Sequence, residues 1–238
     1  MLATTLWQTP NMILGLVHSR GTPITRANSL GDSSRLATNS PAARLLPSEI
    51  VLLCAEEFAV ADLRGKSDVF IAPGSQIRVD AIRLTRAMVA ASLAASAQAG
   101  GIKLEVSPAH GLRLKPGKTL EQDWPIDSLE ASWPLLVNVA KPRRGPAGIE
   151  ACLNCLLLER SSPPEMLEQT LHRLLQRGLI RENTWPRNGY GLAAQTKTLL
   201  DVYGVKHLML EPARVHTGFW ALFEGTFDTV FAPSRWRG

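Results

Sequence analysis

The chain has 238 residues, a formal net charge of +5 and a pI near 9.4, a size that suits one large domain or two small ones with a substantial core. Ordinary apolar content argues against a wholly disordered chain, and no apolar run approaches the roughly 20 residues that a bilayer-spanning helix needs. The basic balance favours an acidic partner, nucleic acid or an anionic membrane surface, and three cysteines without a secretory segment fit a reducing, cytoplasmic compartment.

Residues 1 to 46 differ from the rest. No acidic residue precedes Asp32, and Arg20, Arg26, Arg35 and Arg44 are spread among Ser, Thr, Asn and Gly. That composition describes a targeting segment or a basic, poorly ordered arm. Folding is expected to begin at Pro47, with Ser48 as N-cap of a helix that carries Ile50, Leu53 and Cys54 at helical spacing. Asp62 to Gly65 reads as a turn and Val69 to Ala72 as a short strand. A long helix rich in Ala and Ser is predicted from Asp80 to Ala99, stopped by Gly100-Gly101. A hairpin of Ile102 to Val106 and Leu112 to Leu114 follows it.

One helix is predicted near Ile126 to Val139, then an exposed basic loop from Lys141 to Pro146, then an apolar helix from Ile149 to Arg160. Ser162-Pro-Pro-Glu165 combines capping-box spacing with Pro at a first helical position. Met166, Leu167, Leu171, Leu174 and Leu175 continue as one apolar stripe to a stop at Gly178. A second hairpin turns at Asn188-Gly189. Helices near Ala193 to Tyr203 and Thr217 to Phe231 close the chain. The last carries Phe219, Trp220, Phe223, Phe227 and Phe231 at spacings of three and four, which reads first as a core-facing stripe and second as a partner or membrane surface.

Two of these segments repeat each other. Gln98-Ala-Gly-Gly-Ile-Lys-Leu-Glu leads through a hairpin to Lys118-Thr-Leu120, and Gln176-Arg-Gly-Leu-Ile-Arg-Glu-Asn leads through a hairpin to Lys197-Thr-Leu199. Each unit reads as helix, Gly stop, strand, turn, strand. The fold class expected is therefore mainly α, a helical domain over residues 47 to 238 with two protruding β-hairpins in winged-helix-like units. This organisation points away from a doubly wound enzyme.

Catalytic signatures are missing from the sequence. Cys152-Leu-Asn-Cys155 has the spacing of a metal or redox pair, but no second pair completes a zinc site and the motif sits inside an apolar helical run, so two small core side chains is the better reading. The five histidines fall in no ligand pattern, and Glu56-Glu57 reads as a solvated helix end. No Walker A loop, nucleophile elbow or Rossmann fingerprint occurs. The expectation is a non-enzymatic protein without cofactor or metal. Arg78, Arg83 and Arg86 cluster around the start of the long helix, and Arg143 and Arg144 lie in the basic loop; such a set can hold phosphate groups through charge-assisted hydrogen bonds.

Two readings from different classes follow. In a winged-helix module, Gln169, Arg173, Gln176 and Arg177 would face DNA, with Arg187 on a phosphate, although Glu165 and Glu168 would repel it. The longer pattern resembles the Golgi phosphoprotein 3-like family. Pro47-Ser-Glu-Ile-Val-Leu-Leu-Cys-Ala-Glu-Glu57 resembles its opening helix, Gly100 to Glu105 and Leu167 to Arg181 its two Gly-stopped helices and strands, and Phe227-Asp-Thr-Val-Phe-Ala-Pro233 its C-terminal helix. The resemblance implies a mostly helical domain with hairpins, no catalysis, phosphoinositide binding at a membrane and adaptor work. Arg83 or Arg86 stands where the family places a lipid-pocket arginine; no Trp lies just before it, and positions near Glu168 and Thr170 replace two further arginines.

The function expected is a peripheral membrane or adaptor protein that meets anionic headgroups through Arg78, Arg83, Arg86, Arg143 and Arg144. A protein partner is expected on the aromatic C-terminal helix or the N-terminal arm, with nucleic acid as the less favoured partner. A structural subunit of a larger assembly is the alternative.

Overall fold

The Ala- and Ser-rich segment forms α3 (Ala81–Gln98), and its small side chains let neighbours approach closely on several sides. In the computed structural model, which describes residues 44–59, 68–107, 109–118, 123–141, 145–160, 162–183 and 189–236, four helices pack on it: α1 (Pro47–Leu53), α4 (Leu129–Ala140), α6 (Pro163–Gln176) and α7 (Val202–Val215). All described residues belong to the unit Pro41–Gly238. Leu84, Met88, Val89 and Leu93 of α3 are fully buried; burying a side chain of this size contributes roughly 1.5–3 kcal/mol. The Asp80 carboxylate starts the helix by accepting the Ile82 N–H at 2.9 Å and the Arg83 N–H at 3.1 Å, which satisfies donors that a helix N-terminus leaves without partners. Trp133 of α4 is buried against α3 and its Nε1 donates to Ser92 Oγ at 2.9 Å.

The repeated phrase folds twice in the same way. After α3, Gly100 takes φ +75°, its N–H donates to the Ala97 carbonyl, and the Gly101 N–H donates to Ser96. After α6, Gly178 takes φ +67°, its N–H donates to Leu175, and the Leu179 N–H donates to Leu174. Both ends are Schellman motifs, and the positive φ explains the glycine in each. The hairpins then run in antiparallel register: β3 (Ile102–Ser107) with β4 (Gly111–Pro116), and β6 (Ile180–Asn183) with β7 (Gly189–Leu192). Each closes on its own Gly stop, the Gly117 N–H donating to the Gly101 carbonyl and the Ala193 N–H to the Leu179 carbonyl.

One difference separates the copies. A two-residue strand, β5 (Ala147–Gly148), pairs with the outer edge of β4 and makes a three-stranded sheet. Among the described residues β7 has no such partner. A further small sheet joins β1 (Val69–Ile71) to β2 (Arg78–Asp80), which runs directly into α3.

The mainly helical class with the two repeat hairpins holds. Some boundaries move. Ser48 is not the N-cap of α1: Leu46 takes that place, Pro47 opens the helix, and Ser48 is buried with its side chain turned to α4. The folded part also starts before Pro47, because Leu45 and Leu46 are both buried. The helix expected at Ala193 to Tyr203 divides into a 3-10 turn (Ala194–Leu199) and α7, which continues past Pro212 to Val215. A short α2 (Ala55–Phe58) follows α1, and α5 (Ile149–Arg160) forms as expected. The aromatic stripe lies on α8 (Phe219–Val230) and just beyond it, and all five rings are buried. Phe227 and Phe231 stack at 4.3 Å between centroids, and Trp220 meets Phe219 edge-on at 4.8 Å. Burial of this face in the chain's own core takes it out of use as a partner surface. A last turn, α9 (Pro233–Trp236), follows. The turn at Asp62 to Gly65, residues 186–188 of the second hairpin turn, Arg143 and Arg144, and residues 1–43 of the expected arm lie outside the described residues.

Candidate functional site

The structure places the three upstream arginines differently from one another. Arg78 is exposed on β2, directly across from Ile71 of β1. Arg83 is half-buried in the first turn of α3 and makes no ion pair with a described residue. Arg86, one turn further on, donates from Nη1 to both carboxylate oxygens of Asp228 on α8, at 2.9 and 3.1 Å. Its charge is spent on holding α3 to α8. Among the described residues Arg78 and Arg83 have no ion-pair partner, and Arg86 has one.

Around Arg78 the surface is also apolar. Ile71 is 48% exposed and Ile77 is 41% exposed. Cross-strand neighbours on one sheet face lie about 4.5–5.5 Å apart at Cβ, so Ile71 and Arg78 form a mixed apolar and cationic spot. Exposed apolar side chains also occur on α4, where Leu135 and Val139 sit one turn apart, and on α5, where Leu158 is 85% exposed. The basic loop leaves α4 at Lys141.

Of the residues proposed to read DNA, Arg173 is buried and Arg177 half-buried, Gln169 and Gln176 are exposed, and Arg187 lies outside the described residues. Glu49 of α1 is completely buried, and its carboxylate accepts the Arg173 Nε–H at 3.1 Å and the Arg177 Nη1–H at 2.7 Å. It also accepts the Leu46 N–H at 2.9 Å. The remaining reach of Arg173 goes to the Asp127 carbonyl at 2.8 Å, and Arg177 Nη2 donates to the Arg44 carbonyl. Gln169 accepts from Arg160 at 3.1 Å. Next to this cluster Glu130 of α4 is fully buried and accepts the Ser48 N–H at 2.8 Å and the Ser48 hydroxyl at 3.1 Å. Burial, with the nearby Glu49 charge adding to it, raises the Glu130 carboxyl above its ordinary range. This buried set clamps α1 onto α4 and α6. Its signal in the sequence was faint: two glutamates inside apolar runs, with partners more than 80 residues away.

A cleft of ≈ 650 Å³ opens between the second hairpin and the first small sheet. β1 supplies one side, Leu167, Glu168, Leu171 and His172 of α6 a second, and Gly189 with Tyr190 of β7 a third. Its described lining includes Asp68 and Glu168 and holds no Lys or Arg. The remaining walls mix apolar side chains, Val69, Phe70, Ile71, Leu167 and Leu171, with the polar groups of His172 and Tyr190. Neither Arg78 nor Arg83 is among the described residues that line it.

Cys54 and Cys152 are buried as core atoms, whereas Cys155, expected in the core with Cys152, is only half-buried. Burial pushes the Cys152 thiol up to about 12, and burial followed by Glu56 and Glu57 pushes Cys54 up to about 11, so neither is a thiolate near neutrality. Glu56 and Glu57 are exposed, as expected of a solvated helix end, with Glu57 on Lys206 at 2.6 Å. Among the described residues no group of three or more His, Cys, Asp or Glu is arranged to hold a metal, and no helix is long and apolar enough to cross a membrane. No protein-family model, curated protein or solved structure matches the chain.

Proposed function

We propose that the protein is a non-enzymatic peripheral membrane or adaptor protein that meets anionic headgroups through the β1–β2 hairpin and the start of α3. The observation that carries this reading is the cross-strand pair of exposed Ile71 and exposed Arg78, with Ile77 next in sequence and, in the following turn, Arg83, which has no ion pair among the described residues. An interfacial surface needs apolar side chains for the headgroup boundary and cations for the lipid charge in the same place. Each cation near the surface contributes about 1 kcal/mol and fades within a Debye length. Arg143 and Arg144 add charge by sequence to the loop after α4, and Arg86 is left out because Asp228 neutralises it.

Co-flotation of the full-length protein with neutral and anionic vesicles, at low and high salt, tests the reading. Salt-sensitive flotation with anionic vesicles, reduced by Arg78→Glu with Arg83→Glu and by Ile71→Ser with Ile77→Ser, is the expected result. Flotation that both double variants leave untouched would remove the hairpin from the reading. Random duplex DNA serves as the parallel probe; the winged-helix reading is the weaker one, because Arg173 and Arg177 are engaged by Glu49 and Gln169 by Arg160. A subunit role is favoured by one separate observation, the outward Leu135, Val139 and Leu158.

A further inference from the structure

The repeat supplies a template for the cleft. Since Gly117 and Ala193 donate equivalent bonds, Leu114 of β4 corresponds to Tyr190 of β7, and Arg113 corresponds to Gly189. Leu114 and Arg113 are the two residues of β4 that pair with Ala147 and Gly148 of β5. Tyr190 and Gly189 pair with no strand on that edge among the described residues, and they are the two β7 residues that line the cleft. In one copy of the repeat this edge is filled by an extended segment; in the other it faces a groove.

Ladder geometry says which way the groups point. Antiparallel partners alternate between exchanging both hydrogen bonds and exchanging none. With the Ala193 N–H on the Leu179 carbonyl, the alternation places the Arg181–Gly191 and Asn183–Gly189 pairs among the bonded ones. The N–H and C=O of Tyr190 then point away from β6. Gln76 confirms the direction: its Nε2 donates to the Tyr190 carbonyl at 2.7 Å, a side-chain amide where a strand's peptide group would lie. Gln76 is also the one described non-glycine residue at positive φ, +57°. A carbonyl accepts two hydrogen bonds, so the edge is touched but not closed. Gly189 and Gly191 flank Tyr190; a Cβ would lie 3.1 Å from Gln76 Oε1 at the first and 2.9 Å from Asn183 Nδ2 at the second, so side chains of this chain take that space.

We infer that the open edge of β7 is a docking site for an extended peptide from a partner protein, which adds a strand beside Tyr190 and presents a Lys or Arg to Glu168. Main-chain bonds to Tyr190 supply affinity, and the apolar walls at β1, Leu167 and Leu171 accept alternate side chains. The exposed Glu168 carboxylate, in a described lining without Lys or Arg, selects the charge. This site does not depend on the membrane reading, since its residues are tested with soluble peptides.

The test starts with a library of random nine-residue peptides selected on the full-length protein, followed by fluorescence anisotropy of the selected peptides on variants. Tyr190→Pro removes an N–H that points away from β6, so the β6–β7 ladder keeps its bonds. Glu168→Lys changes an exposed side chain and reports independently if the proline variant folds poorly. Selected peptides rich in Lys or Arg and in strand formers, each weakened about tenfold or more by either substitution, are expected from the loss of a main-chain bond or a charge partner. N-methylation of the single peptide residue opposite Tyr190 is expected to cost as much. Failure to recover peptides, or peptides that bind a folded Tyr190→Pro and Glu168→Lys as they bind the wild type, would overturn the proposal. Self-association of the wild type that Tyr190→Pro abolishes would overturn it too, by making the occupant a second copy of this chain.

Discussion

Replacing Glu49 with Ala is expected to be far more damaging than its place on a seven-residue helix suggests. The carboxylate holds the Leu46 N–H, Arg173 Nε and Arg177 Nη1, and it has no exposure at all. Its removal leaves Arg173, whose side chain is only 8% exposed, with one carbonyl and a distant carboxylate in place of a direct counter-ion. Breaking a buried pair from one side costs about 3–5 kcal/mol, since the remaining charge stays desolvated. For a chain of this size that corresponds to a fall of about 6–20 °C in Tm. Glu57→Ala is the matched control. Its contact with Lys206 is shorter, at 2.6 Å, but both partners are about half exposed, so its loss is expected to cost less than about 1 kcal/mol. Burial, not distance, decides the ranking. Urea unfolding of both variants and of Glu49→Leu with Arg173→Met measures it; the double variant should recover part of the loss, as it removes the stranded Arg173 charge and leaves only the less buried Arg177 without its carboxylate. A Glu49→Ala cost no larger than that of Glu57→Ala would refute the clamp.

Two further predictions use the same unfolding assay. Glu130 binds its proton more tightly in the folded protein than in the unfolded chain, so its contribution is fully present below the ordinary carboxylate range and is lost as pH rises through the raised folded value. Glu130→Gln keeps a carbonyl for the Ser48 N–H and removes the titration, so its stability relative to wild type should increase with pH from 4 to 8; a constant difference would mean that Glu130 does not titrate abnormally. Gly117→Ala should destabilise by roughly 1–3 kcal/mol, because a Cβ there would lie 1.8 Å from the Gly100 carbonyl oxygen and the hairpin would have to move off its helix stop. A neutral result would disprove the tight closure of the first hairpin.

Local signals were the legible ones. Gly100 and Gly178 announce their helix stops because a left-handed residue is needed there, and the two hairpins follow from the apolar residues beside them. The 3.6-residue spacing of the C-terminal rings likewise marks a core face, and all five rings are buried. The region from Ala193 to Val215 was harder, since Gly204 and Pro212 interrupt a helical pattern whose tertiary packing overrides them. The clamp was illegible for a different reason: Arg173 and Arg177 are polar residues of an amphipathic helix, where solvent or DNA is the default reading, and only the docking of α1 covers those two while Gln169 and Gln176 stay exposed. The cleft depends on three separate elements, β1, α6 and β7, coming together, which no local pattern encodes.

The position of the clamp in the chain sets an order of events during synthesis. The partner of Ser48 on α4 follows 82 residues later, and the first arginine for Glu49 follows 124 residues later. At about 5–20 residues per second of translation, α1 emerges roughly 6–25 s before Arg173 exists to receive it. Ile50, Val51, Leu52 and Leu53, all buried in the finished protein, can settle on α3 early in that interval, but Glu49 has neither of its arginines until α6 is made. α1 is thus seated in stages, against α3 first and against α6 last, and until the last stage its carboxylate waits without a counter-ion.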